Sequence, residues 1–191
     1  MQYKEQKKDS GFALLLALII SSVVLAIGVS ILHISVNQIN LSATARESEF
    51  AFQASHAGID CQWYWRNEKA AEYLMSGSGS SNPDVTCFGQ NPIDTGRQIV
   101  APTSGTGNGD AFFNMFQWGS PARCTIVGMY ILQPTTDMTV LFQNKGIGTD
   151  GLKSCSAGNV CTVIVSDGYN RGCGEIDGSI FSVQREITVE F

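Results

Sequence analysis

Six cysteines, at positions 61, 87, 124, 155, 161 and 173, are the residues of this chain best placed to do chemistry. No pair has CxxC spacing, and neither His33 nor His56 lies near a cysteine in sequence, so the pattern does not suit a zinc tetrad. An even count of cysteines suits disulfides in an oxidising compartment. Six cysteines can pair in about fifteen ways. Proximity in sequence favours Cys61 with Cys87 and leaves the other partners open. Gly146, Gly148 and Gly151 form a GxGxxG string after a predicted strand. The following LKSCSAGNVC lacks helical periodicity, however, so no helix N-terminus is available to hold a phosphate. Asp150, Asp167 and Asp177 fall in Gly-rich stretches that could chelate calcium, but they lack the EF-hand spacing, and turn formation is the simpler reading. Trp63, Tyr64 and Trp65 beside Cys61 could form a stacking platform for carbohydrate or DNA, although their patterning favours a core between helix and sheet. The two histidines lie far apart on one predicted helix and read as interfacial or surface residues. No Walker A string, HExxH or GxSxG occurs. The expectation is a non-enzymatic chain with no catalytic, cofactor-binding or metal-binding residues.

The elements that must position the cysteines follow from composition. The chain has 191 residues, 43% of them hydrophobic and 15% charged, with a formal net charge of −5. That length holds one domain with an appendage. An acidic balance disfavours nucleic acid as a partner, and the low charge with 9% aromatics excludes a mainly disordered chain.

The charge is unevenly spread. Lys4, Lys7 and Lys8 precede a run from Phe12 to Ala45 that contains no Asp, Glu, Lys or Arg. About 20 apolar residues match the ~30 Å hydrocarbon thickness of a bilayer at 1.5 Å per residue. The flanking lysines place the N-terminus in the cytoplasm and the cysteine-bearing remainder outside.

The helical pattern outlasts the membrane requirement. No Pro occurs from Ile34 to Tyr73, and Val36, Ala43, Phe50, Ala57 and Tyr64 recur every seventh residue. A second stripe, Leu41, Ala45, Phe52, Ile59 and Trp63, lies well around the helix from the first. Such a helix needs two partners, and the expectation is that Phe50, Ala54 and Ala57 face the chain's own sheet while Phe52 and Ile59 stay open for another chain. If continuous to about Asn67, the rod is roughly 85 Å long. The string SGSGSS at 76–81 ends it, and a Gly/Ser-rich loop region runs to residue 110. Strands are predicted at Ala122–Leu132, Met138–Gln143 and Val160–Ser166. The clearest is the last, where Phe181, Val183, Ile187, Val189 and Phe191 alternate with polar residues and Arg185 is the one exception. The predicted architecture is α+β, a long N-terminal helix packed on an antiparallel sheet of about four strands, with the helix as the only cover.

A Lys-bearing leader ending in Gly11, then Phe12 and an uncharged helix continuing into a strand-rich, cysteine-bearing domain, resembles the type IV pilin and pseudopilin family. The strings SGFALLLALIISSVVLAIG and ESEFAFQASHAGID look most like PilX-type minor pilins, and the likeness covers roughly residues 8 to 65. The resemblance implies a pilin-like fold and five segments: leader 1–11, membrane and filament-core helix 12–33, amphipathic continuation 34–75, loop region 76–110 and sheet 111–191. It implies cleavage after Gly11 by a prepilin peptidase and N-methylation of Phe12. The precursor would be single-pass in the cytoplasmic membrane, in contact with lipid and with an assembly platform there. It would later join other pilin subunits in an extracellular helical filament, with Leu16, Gly28, Phe52 and Ile59 on the assembly helix. Most family members carry Glu where this chain has Leu16, and its absence is typical of minor subunits. Removing the leader leaves nine basic and fifteen acidic residues, net −6.

Overall fold

The computed structural model describes residues 10–74, 82–142, 151–177 and 182–191. The chain divides between Ala45 and Arg46 into two units. Helix α1, Ser10–Glu68, supplies the first and contributes its last turns to the second. In the first unit every described side chain from Phe12 to Ala45 is exposed.

The second unit, Arg46–Phe191, is an α+β domain. After α1, a turn at Lys69 leads to the short α2, Ala70–Leu74. Among the described residues seven strands follow: β1 Asp94–Ile99, β2 Gly107–Trp118, β3 Arg123–Pro134, β4 Met138–Phe142, β5 Gly151–Cys155, β6 Cys161–Tyr169 and β7 Gln184–Glu190, with a 3-10 turn at Cys173–Glu175. Five form an antiparallel sheet in the order β1-β2-β3-β6-β7, and β4 pairs with β5 as a separate ribbon. There are thus five strands plus two rather than about four. β1 and the first residues of β2 lie in the span expected to be loop, β3 continues through Pro134, and β5 lies in the expected Gly-rich connection. The 76–81 string, Gly146, Gly148, Asp150 and Phe181 lie outside the described residues.

The helix is not the only cover of the sheet. Ile59, Phe112, Phe116, Val127, Met129 and Ile164 form one core on the helix face. Met138, Val140 and Cys155 of the ribbon pack on Ala111, Tyr130, Leu132, Val163 and Val165 on the opposite face. Double cover explains why β2, β3 and β6 are buried along most of their length, whereas the edge strand β7 is at most half-buried.

The helix face that meets the sheet differs in part from the one expected, with Ala54 buried and Phe52 open as predicted. Ala51, Ala54, Ser55, Gly58, Ile59 and Gln62 are buried, whereas Phe50 and Ala57 are half-buried and Tyr64 is 55% exposed. Ile59, expected to stay open, is 7% exposed, and the buried stripe lies about one residue around from the predicted one. Close approach is the reason. A Cβ on Gly58 would lie 2.3 Å from Ser166 Oγ and 2.5 Å from Thr125 Cγ2. One on Gly168 would lie 2.1 Å from the Ala51 carbonyl oxygen and 2.2 Å from the Ser55 nitrogen. Small residues let the backbones approach, and polar ones join them: Ser55 Oγ donates to the Ser166 carbonyl at 2.6 Å, and Thr125 Oγ1 donates to the Ala54 carbonyl at 3.1 Å. Trp118 Nε1 donates to Thr125 Oγ1 at 2.9 Å. Further along, Gln62 Nε2 donates to the Tyr73 hydroxyl and Asn114 Nδ2 donates to Gln62 Oε1, each at 3.3 Å, so these buried amides are satisfied. Burial pushes the Tyr73 phenol up to about 12, against the pull of its bond from Gln62.

All six cysteines are bonded. Cys61–Cys87 ties α1 to the segment before β1, the pairing that proximity favours; Cys124–Cys173 ties β3 to the 3-10 turn, and Cys155–Cys161 ties β5 to β6.

Candidate functional site

The feature with functional consequence is the surface of α1. From Phe12 to Leu41 its large apolar side chains are exposed on every side of the helix, Phe12 at 73% and Leu16 at 49%. A soluble helix shows an apolar stripe and a polar face, whereas one apolar all round requires lipid or other protein on every side. Among the described residues this is the one helix long and apolar enough to cross a membrane. Full burial of that many large side chains is favourable by tens of kcal/mol at about 1.5–3 kcal/mol each.

Four of its hydroxyls are satisfied internally. Ser22 Oγ donates to the Ile19 carbonyl at 2.8 Å, Ser30 Oγ to the Ala26 carbonyl at 2.8 Å and Ser35 Oγ to the Ile31 carbonyl at 2.9 Å. Thr44 Oγ1 does the same to the Asn40 carbonyl at 3.0 Å. An unsatisfied hydroxyl in hydrocarbon is costly, and back-bonding removes that penalty. The sequence shows these residues only as interruptions of the apolar run, although their small size and helical setting were the available signal. Gly28 has open space where a Cβ would stand, and α1 is continuous past it. Gly11 lies within the helix.

In the second unit the helix side turned from the sheet is mixed. Phe52 is 46% exposed with its ring 6.3 Å from that of His56, and His56 Nδ1 lies 3.2 Å from Asp60 Oδ2. Trp63 is 38% exposed and stacks on Phe191 at 3.8 Å, and Tyr64 is exposed. Of the three clustered aromatics only Trp65 joins the core, its Nε1 donating to the Thr86 carbonyl at 2.8 Å. The expected core role therefore fails for Tyr64, which turns well away from Ile59 and Gln62, and Trp63, one turn beyond Ile59, lies at the margin of the domain against Phe191. The structure thus places Phe12, Leu16, Gly28 and Phe52 on open helix surface and withdraws Ile59 into the core.

The histidines do not meet: His33 contacts Asn37 at 3.4 Å, and His56 contacts Asp60. Among the described residues no three of His, Cys, Asp and Glu are grouped to hold a metal ion. Asp167, expected in a loop, lies buried within β6. A cavity of about 300 Å³ beside β1 is lined by Asp94, Gln98, Phe113, Met115 and Ile126 among others, with a single carboxylate and no histidine, cysteine or lysine.

No protein-family model matches the chain, nor does any curated protein sequence or solved structure.

Proposed function

We propose that this chain is a structural, non-enzymatic subunit of the type IV pilin and pseudopilin class. It is made as a single-pass precursor in the cytoplasmic membrane, with the N-terminus in the cytoplasm, cut after Gly11 and methylated at Phe12. It then moves from lipid into an extracellular filament. One observation carries this reading: a helix uncharged from Phe12 to Ala45, exposed throughout and apolar on all sides from Phe12 to Leu32, continues without a break into a disulfide-tied α+β domain.

Lipid and a bundle of like helices are the two surroundings that bury such a surface, and a subunit that moves between them exchanges one burial for the other. Water offers neither. The back-bonded serines suit both, because neither environment has to supply them a partner. Cleavage removes Lys4, Lys7 and Lys8, the charges that hold the cytoplasmic end at the interface. With no carboxylate from Phe12 to Ala45, this chain cannot offer a buried acid to a neighbour's terminal amine, which favours a minor position in a mixed filament.

The test is mass spectrometry of the mature N-terminus from the native membrane and sheared surface fraction. The expected result is a chain beginning at N-methylated Phe12 in both fractions. A chain that still carries Met1 and is confined to the membrane overturns the proposal in favour of an uncleaved single-pass protein.

A further inference from the structure

Asp167 sits within β6, where an ordinary sheet residue would be apolar or exposed. It is fully buried, on the sheet face shared with Val163 and Val165. Its Oδ1 accepts a hydrogen bond from Gln184 Nε2 at 2.8 Å, and its Oδ2 has no partner. Gln184 opens β7, the strand at the sheet edge, so this carboxyl holds the start of that strand. Among the described residues the groups facing it offer no counter-charge. From β7, Glu186 is its direct cross-strand neighbour; from β3 the neighbour is Ile126. Tyr169 lies two residues along the same face of β6, its phenol pushed up to about 12 by burial and by the carboxylates of Asp167, Asp177 and Glu186. Tyr130 of β3 is likewise pushed up to about 12, by burial and by Glu186. Helix α1 meets the opposite face of β6 at Ser166 and Gly168, and Arg185 reaches Ser48 of α1 instead.

A buried carboxylate with one oxygen unpaired and a like charge opposite is costly, and protonation is the cheapest relief. We propose that Asp167 is a proton-binding site that clasps the edge strand β7. Docking of β7 is tightest with the carboxyl protonated, and loss of its proton to solvent leaves an unpaired charge beside Glu186 and weakens the docking.

Burial is the main cause that pushes the Asp167 carboxyl from 3.8 to about 6; the Gln184 bond opposes it and Glu186 adds to it. An acid whose folded value is raised stabilises the fold fully below its unfolded value. That contribution fades as pH rises from 3.8 towards about 6 and is flat above. The docking equilibrium of β7 therefore weakens on the order of a hundredfold across this window.

The experiment uses the full chain in nanodiscs, with a carbon-13 titration of the Asp167 side-chain carboxyl and thermal melts of the domain from about pH 4 to about pH 8. The expected titration midpoint is about 6. The melting temperature of the unmodified chain should fall across the window, while that of D167N stays nearly flat, and E186Q should move the midpoint down. A midpoint near the ordinary value of 3.8, or an undiminished slope in D167N, overturns the proposal. The carboxyl titration decides this even if D167N does not fold. A rise in melting temperature with added calcium chloride at neutral pH, seen in the unmodified chain and absent in D167N, also overturns it, in favour of a metal site. None of these readouts depends on filament assembly.

Discussion

The two halves of α1 share a backbone conformation and solve the burial problem in opposite ways. From Phe12 to Ala45 the helix carries large apolar side chains and hides none of them. From Arg46 to Glu68 it hides a narrow stripe built from Ala51, Ala54, Ser55, Gly58, Ile59 and Gln62, mostly small or polar. Hydrophobicity alone therefore does not report which surface is internal. The greasier half is the unpartnered one, and the half with the modest stripe is the one locked into a fold. Close approach and hydrogen bonds to Thr125 and Ser166 do there what bulk does elsewhere.

The sharpest way to separate the halves is to remove a covalent tie from one. Replacing Cys124 and Cys173 together by Ala opens a loop spanning 49 residues, and the domain should lose about 4 kcal/mol of unfolding free energy in the chain-entropy account. Membrane partitioning of the helix should not change. Chemical denaturation of the domain beside membrane flotation checks both arms, and parallel losses would erase the distinction.

The reciprocal change is a charge in the other half. Leu25→Lys should make membrane insertion less favourable by about 3 kcal/mol, as read by a glycosylation-tagged insertion assay, and leave the domain's denaturation midpoint unmoved. An unchanged inserted fraction would show that residues 12–45 do not rely on hydrocarbon.

The smallest and most discriminating change is one substitution made twice. Gly58→Ala forces Ser166 and Thr125 to move and should cost the domain about 1–3 kcal/mol. Gly28→Ala meets open space and should strengthen the helix by about 0.5–1 kcal/mol. Denaturation for the first and helix content by circular dichroism for the second give the two signs. Equal effects would place both glycines in the same kind of surroundings.

What the sequence made legible was local. The uncharged run, the length of α1 and the existence of β7 depend on neighbours in the chain, and each is found where its pattern predicts, although burial along β7 does not alternate. The Cys61–Cys87 bond follows from proximity in the same way. Features that depend on distant partners were hidden. β1, reading DTGRQI, is a polar edge strand with no apolar alternation to reveal it. The ribbon over the far face was legible only indirectly, through apolar residues that fall on both faces of β3 and β6. The helix register escaped because apolar periodicity weights Phe50 and Tyr64 above Gly58 and Ser55, whereas fit to Gly168 and Thr125 chose the smaller residues. As for the candidate surface, Phe12, Leu16, Gly28 and Phe52 could be read from the chain alone, while Ile59 could not.

The continuity of α1 from Ser10 to Glu68 has a mechanical side. Load borne by that one ladder of backbone hydrogen bonds passes first through the turns at Ser48 and Ser55, held by Arg185 and by the Ser166 carbonyl, before it meets the covalent staple at Cys61–Cys87. Hydrogen bonds on this route give way one at a time, and the staple sets how far the helix can be drawn from the sheet.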